Sequence, residues 1–133
     1  MREGGCFCGA VRYQVEGEPG VVCHCHCLDC RRSSGALFVT WVSYKEDDFR
    51  FTAGEPARRV HPPEVERTFC RDCGTSLTFR RTPGEVDLTV ASMDDPDSLP
   101  PPQNHLWTVR KLPWLGLDDG LPCYQKSSTD AQD

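Results

Sequence analysis

Val65-Glu66-Arg67-Thr68-Phe69-Cys70-Arg71-Asp72-Cys73-Gly74-Thr75-Ser76-Leu77-Thr78-Phe79-Arg80 reads as a strand, a turn carrying two thiols, and a second strand. Thiols three residues apart in such a turn form a knuckle, half of a tetrahedral Zn²⁺ site. Gly74 directly after the second thiol can take the positive φ that the turn needs. The other half lies near the start of the chain, at Cys6-Phe7-Cys8 between Gly5 and Gly9. Four sulfurs from these two distant turns would close one tetrahedral site and tie the N-terminal strand to the middle of the sheet.

A third cluster, Cys25-His26-Cys27-Leu28-Asp29-Cys30, supplies three sulfurs within six residues. Cys23 precedes it. If that stretch is extended, Cys23 and Cys27 stand about 13 Å apart. Sulfurs sharing one zinc are only about 4 Å apart, given bonds of ~2.3 Å. Cys23 is therefore read as a small buried hydrophobe. Cys25, Cys27 and Cys30 are read as three ligands with a fourth position left for water, substrate or a mobile side chain. A closed site uses four protein ligands, and a working site keeps one place open. His26 could swing in as the fourth ligand or move a proton. It could equally face the other side, since neighbours on an extended stretch alternate.

The 133 residues suggest one domain, 1–133, with its core over about 4–125 and a frayed polar tail over 127–133. Short strands separated by turns fit the remaining pattern, giving an all-β expectation. The strand candidates are 10–15, 21–25, 36–42, 49–51, 65–69, 76–80, 86–91 and 106–109. Eleven glycines and eleven prolines leave little room for helix. One helical turn over 44–49 could follow Ser43 as N-cap. The proline-rich stretch 94–103 reads as an irregular surface loop.

Mean hydropathy is -0.52, and no run approaches a membrane span. The Met1-Arg2-Glu3-Gly4-Gly5 start carries no apolar signal core. A reducing cytoplasmic location is the expectation, and there nine cysteines favour metal over disulfides. Net charge is -5, and the basic residues come as separate pairs diluted by acidic clusters, which argues against a nucleic-acid partner.

Three segments together resemble the glutathione-dependent formaldehyde-activating family. They are Gly4-Gly5-Cys6-Phe7-Cys8-Gly9-Ala10-Val11-Arg12-Tyr13, Cys25-His26-Cys27-Leu28-Asp29-Cys30-Arg31-Arg32-Ser33-Ser34-Gly35 and Phe69-Cys70-Arg71-Asp72-Cys73-Gly74-Thr75. Asp94-Asp95-Pro96, His105-Leu106-Trp107, Pro113-Trp114 and Asp119-Gly120-Leu121-Pro122 look like its C-terminal half. The resemblance implies a beta-tent fold of small antiparallel sheets tied by zinc-binding cysteine clusters. It implies two Zn²⁺ per chain, one structural at Cys6, Cys8, Cys70 and Cys73, and one with an open position at Cys25, Cys27 and Cys30. The activity implied is that of a carbon-sulfur lyase, in which glutathione adds to formaldehyde to give S-hydroxymethylglutathione.

The chemistry suits the middle cluster. A thiol attacks as its thiolate, and zinc would hold glutathione's sulfur deprotonated beside a small carbonyl. Cys25, Cys27, Cys30 and His26 are the candidate catalytic residues. Arg31 and Arg32 are candidates to grip a glutathione carboxylate, with a solvated pair as the plainer reading. His105 is expected to be a capping or core-edge residue, and Trp41, Trp107 and Trp114 core or pocket-wall aromatics. Cys123 is read as a bystander, and Arg80 and Arg81 as a solvated face. The competing reading is a zinc-knuckle protein-binding or structural module without catalysis. The missing eighth ligand separates the two, since only an enzyme needs a vacancy.

Overall fold

The computed structural model of the chain describes residues 1–61 and 64–127. Apart from Ser127, the tail expected to fray lies outside these. The fold is all-β, with cysteine clusters that could bind metal. A three-stranded antiparallel sheet has the order β1-β2-β5, with β1 Arg2–Gly5, β2 Arg12–Val15 and β5 Phe49–Ala53. A seven-stranded sheet holds the remainder: β3 Val22–Cys25, β4 Val39–Lys45, β6 Ala57–His61, β7 Val65–Phe69, β8 Ser76–Arg80, β9 Glu85–Thr89 and β10 Asn104–Leu106. Its order is β10-β3-β4-β9-β8-β7-β6. All pairings in the two sheets are antiparallel except that of β10 with β3, which is parallel. Among the described residues no helix is long and apolar enough to cross a membrane.

Strand periodicity sorts the apolar side chains into two cores. Residues directly opposite in a ladder share a face. Val22 opposes Val42, Val42 opposes Leu88, and Tyr44 opposes Val86. These side chains are buried with Tyr13, Val15 and Leu77 in the larger core. The other face of β3 and β4 carries Cys23, Cys25, Val39 and Trp41, which pack with Cys30, Cys27, Phe79 and Trp107. The seven-stranded sheet thus separates the main core from the apolar wall behind the middle cysteine cluster.

Several boundaries moved for identifiable reasons. The first two residues of the strand expected at 10–15 are taken up by the cysteine turn: Cys6 N donates to Val11 O at 3.0 Å, and Val11 N donates to Cys6 Sγ at 3.2 Å. The strand expected at 36–42 is shifted to Val39–Lys45 by a helix not foreseen in the sequence, α1 Leu28–Ser34. Ser43 does not cap the turn at Glu46–Asp48, because it lies inside β4 and its Oγ donates to Asp87 Oδ1 at 2.6 Å. The strand expected at 86–91 stops at Thr89, whose Oγ1 turns back to Ser76 O at 2.8 Å. The last strand precedes rather than includes Trp107, which has φ 58° and starts a 3-10 turn over Thr108–Arg110. β1 and β6 were also not foreseen.

The 94–103 loop is anchored to the protein. Arg12 pairs with Asp94 through Nη1 and Nη2, Arg2 donates to Ser98 O at 2.9 Å, and Leu99 is buried. Arg80 is not a solvated arginine. It bridges Glu46 and Glu66 at 3.1 and 3.0 Å and lies over the Phe49 ring, while Arg81 is exposed. Trp41 is buried and Trp107 packs beside it, but Trp114 is exposed and forms no part of the core.

Two substitutions test this packing at fixed metal content. Leu88→Ala, at a fully buried position, is expected to cost about 2–5 kcal/mol by chemical denaturation. Gly54, at φ 72°, leaves no room for a Cβ against Ala10 O. Gly54→Ala is expected to lose about 1–3 kcal/mol in the same assay, and a variant as stable as the parent would refute this account of the β5 exit.

Candidate functional site

Two cysteine turns of the same design meet at the first cluster. In one, Cys6 N donates to Val11 O at 3.0 Å and Gly9 N to Cys6 O at 3.1 Å. In the other, Cys70 N donates to Thr75 O at 3.0 Å and Gly74 N to Cys70 O at 2.8 Å, with Gly74 at φ 81°. Phe7 N donates to Thr75 Oγ1 at 3.0 Å and docks one turn on the other. The sulfurs of Cys6, Cys8, Cys70 and Cys73 lie within 4.8 Å of one another, with Cys6–Cys8 at 3.6 Å and Cys8–Cys70 at 3.7 Å. Bonds of ~2.3 Å in a tetrahedron set sulfurs about 3.8 Å apart, so the four fit one metal ion. All nine cysteines are free thiols. Backbone N–H groups of Val11 and Asp72 point at Cys6 and Cys70 sulfurs. The hydroxyl and N–H of Thr75 pull the Cys73 thiol down to about 5.

The second group, Cys25, Cys27 and Cys30, also converges within 4.8 Å. Cys25 ends β3, and the chain then bends into α1. Cys27 is the N-cap, its Sγ accepting from Cys30 N at 3.2 Å, and Cys30 sits in the first helical turn. This bend brings the three sulfurs together. Thiol hydrogen bonds from Cys25 and Cys30, the Cys30 N–H and the charge of Arg67 pull Cys27 down to about 2, and the bond to Cys27 in turn drives Cys25 upward. One thiolate is thus favoured before any cation binds. Among the described residues no fourth ligand atom joins this group. Cys23 packs against its apolar wall, and burial pushes its thiol up to about 12.

His26 faces away from the sulfurs, as alternation along an extended segment requires. It is fully buried, with Nε2 2.9 Å from His105 Nδ1, and His105 Nε2 is 2.7 Å from Asp119 Oδ2. Burial and the neighbouring His105 pull His26 down to about 4, so it is neutral at pH 7. Its Nδ1 is buried and makes no hydrogen bond among the described residues. His105 is therefore central to a buried chain and not an edge residue.

The two arginines part company. Arg31 is half-buried, its enclosed Nε making no hydrogen bond among the described residues, whereas Arg32 is exposed. Sequence reasoning missed Arg67, which stacks on Phe79 at 4.7 Å, donates to Ser33 Oγ at 3.1 Å and bears electrostatically on Cys27. Its position on a strand distant in sequence gave no local signal. Cys123 is half-buried; it bridges His105 as an added parallel pair and its Sγ faces Leu121 O at 3.6 Å.

A cleft of about 600 Å³ runs beside Cys6 and Cys73, between Phe7, the 73–76 turn and the 34–40 segment that leaves α1. It lies next to the first group, and Cys25, Cys27 and Cys30 do not line it.

The pattern of the glutathione-dependent formaldehyde-activating enzyme family matches residues 1–110. A Halomonas elongata protein provisionally named as such an enzyme is 27% identical over 128 residues, covering 89% of this chain and 82% of the relative. An uncharacterised lyase of Schizosaccharomyces pombe is 32% identical over 91 residues, 62% of this chain and 60% of the lyase. A crystal structure of a Rhodobacter sphaeroides protein superposes with a TM-score of 0.61 at 28% identity, covering 74% of this chain and 91% of that one. With the three cysteine-bearing segments inside the matched range, the chain belongs to the glutathione-dependent formaldehyde-activating enzyme family.

Proposed function

We propose that the protein is a zinc-dependent carbon-sulfur lyase or synthase that handles adducts of glutathione, or a similar small thiol, with a small aldehyde. The observation that carries this reading is the three-sulfur group with no fourth protein ligand among the described residues, beside a four-sulfur group that is complete. In a structural role both groups would be closed. The family name and the lyase relative point the same way.

Zinc held by Cys25, Cys27 and Cys30 would keep an incoming thiol deprotonated at neutral pH. The chain's own residues supply the rest. Cys27 is half-exposed and gives the group its approach from solvent. Arg67 and Arg31 hold positive charge near the sulfurs and near His26, and so favour an anionic thiol peptide over a neutral one. Exposed Arg32, in the last turn of α1, is the residue we assign to a carboxylate of that peptide, with Arg31 contributing charge from its half-buried position. In the reaction the thiol sulfur bonds to the carbonyl carbon, the carbonyl π bond breaks, and its oxygen takes the proton released by the thiol. Nine free thiols suit a reducing cytoplasm.

Two experiments test the reading. Metal analysis of protein purified without chelator is expected to give about two zinc per chain. Cys27→Ala is expected to keep the fold while losing glutathione binding by calorimetry and S-hydroxymethylglutathione formation by NMR. Cys70→Ser is expected to lose metal and folding together, because ligand free energy there is folding free energy. If Cys27→Ala unfolds as fully as Cys70→Ser, and the parent binds no thiol, the second group is structural and a zinc-knuckle binding module is the better description.

A further inference from the structure

Outside the sulfur groups, the one further set of metal-ligating side chains that converges among the described residues is His24, His105 and Asp119. They come from three separate segments: β3, β10 and the loop before Leu121. The parallel pairing of β10 with β3 sets His105 directly beside His24, and their rings stack at 4.7 Å with an interplanar angle of 29°. One ligand atom from each of the three residues lies within 4.8 Å of the others.

What distinguishes this set from a chance cluster is the state of the remaining polar atoms. A ligating histidine usually has its second ring nitrogen fixed by a hydrogen bond, and a ligating carboxylate is itself held. Each residue here has that support. His24 Nδ1 meets Thr40 Oγ1 at 2.8 Å, which leaves Nε2 to ligate. His105 Nδ1 meets His26 Nε2 at 2.9 Å, which leaves Nε2 on the side of Asp119. Asp119 Oδ1 accepts from Leu121 N at 3.1 Å, which leaves Oδ2 facing His105 at 2.7 Å. Two imidazoles and one carboxylate, each with its other polar atom held, thus converge within 4.8 Å of one another.

We infer that His24, His105 and Asp119 form a third metal site, a two-histidine, one-carboxylate set for a divalent first-row transition ion. Nitrogen and oxygen donors of this kind take Zn²⁺, Fe²⁺, Co²⁺ or Mn²⁺ and leave further positions open. His105 is 1% exposed and the Asp119 side chain 43% exposed, so the ion enters from the Asp119 side. Binding through His105 Nε2 moves its proton to Nδ1, where His26 Nε2 accepts it. The ion would pin β3, β10 and the 119–121 loop to one another immediately behind Cys25. The site does not depend on the reaction proposed above.

The test uses the full chain with its sulfur groups loaded with zinc, and cobalt(II) ions as the probe. Equilibrium dialysis is expected to show one cobalt bound beyond the zinc, with visible ligand-field bands and no added sulfur-to-cobalt charge transfer. His24→Ala and Asp119→Asn, at positions that are not fully buried, are expected to abolish this equivalent while zinc content is retained. Thr40→Val is expected to weaken it about 10–100-fold and Thr40→Ser to restore it. Cobalt that only displaces zinc, with charge transfer for every equivalent, overturns the inference and leaves a His–Asp hydrogen bond only. So does an added equivalent that survives unchanged in both His24→Ala and Asp119→Asn.

Discussion

The sulfurs of Cys8 and Cys70 stand 3.7 Å apart although 62 residues separate them in sequence. That approach fixes where the N-terminal turn lies on the large sheet. β1 and β2 follow, because they flank Cys6 and Cys8 directly. The Arg12–Asp94 pair, the Gly4–Met93 bridge and the Phe7–Thr75 bond then lie along the same seam. Exposed ion pairs contribute little alone. A chain of this size and hydropathy has a modest core, and a metal ion held by these four sulfurs would offset much of the entropy of closing so long a loop.

The second sulfur group is built on a different principle. Its three cysteines are local, and their convergence needs only the bend from β3 into α1. Nothing distant has to be recruited, so the group can be incomplete without loosening the sheet. Distant residues enter as surroundings: Val39, Trp41 and Phe79 as an apolar wall, Arg67 as a charge, and β10 as the support behind Cys25.

The strands around the knuckle were legible because their periodicity and their glycine agree with a turn of fixed geometry. Val65–Phe69 and Ser76–Arg80 fall where the pattern sets them. The helix was harder to see. Asp29 in its first turn, Arg31 and Arg32 in its last, and Gly35 beyond are ordinary helix signals, but its cap is a cysteine sulfur and the run is short. The cysteine groupings could be read from spacing alone. The environment of His26 could not, since His105 and Asp119 lie 79 and 93 positions away and meet it only through a parallel strand pair. β1 was hidden by Gly4 and Gly5, residues of low strand preference that are needed where Tyr13 packs close to Gly4, and Val11 O and Arg12 close to Gly5.

β6 closes one margin of the seven-stranded sheet, and nearly all of it is exposed. A free margin offers unpaired N–H and C=O groups to any strand that passes. Here the margin carries Arg58 and Arg59 side by side, with Val60 exposed between them and His61. A second molecule docking its own β6 there would bring four guanidinium groups together in a ladder. Charge on this edge, with Arg58 held by Glu66 at 3.0 Å and Arg59 exposed, would therefore oppose sheet-by-sheet self-association.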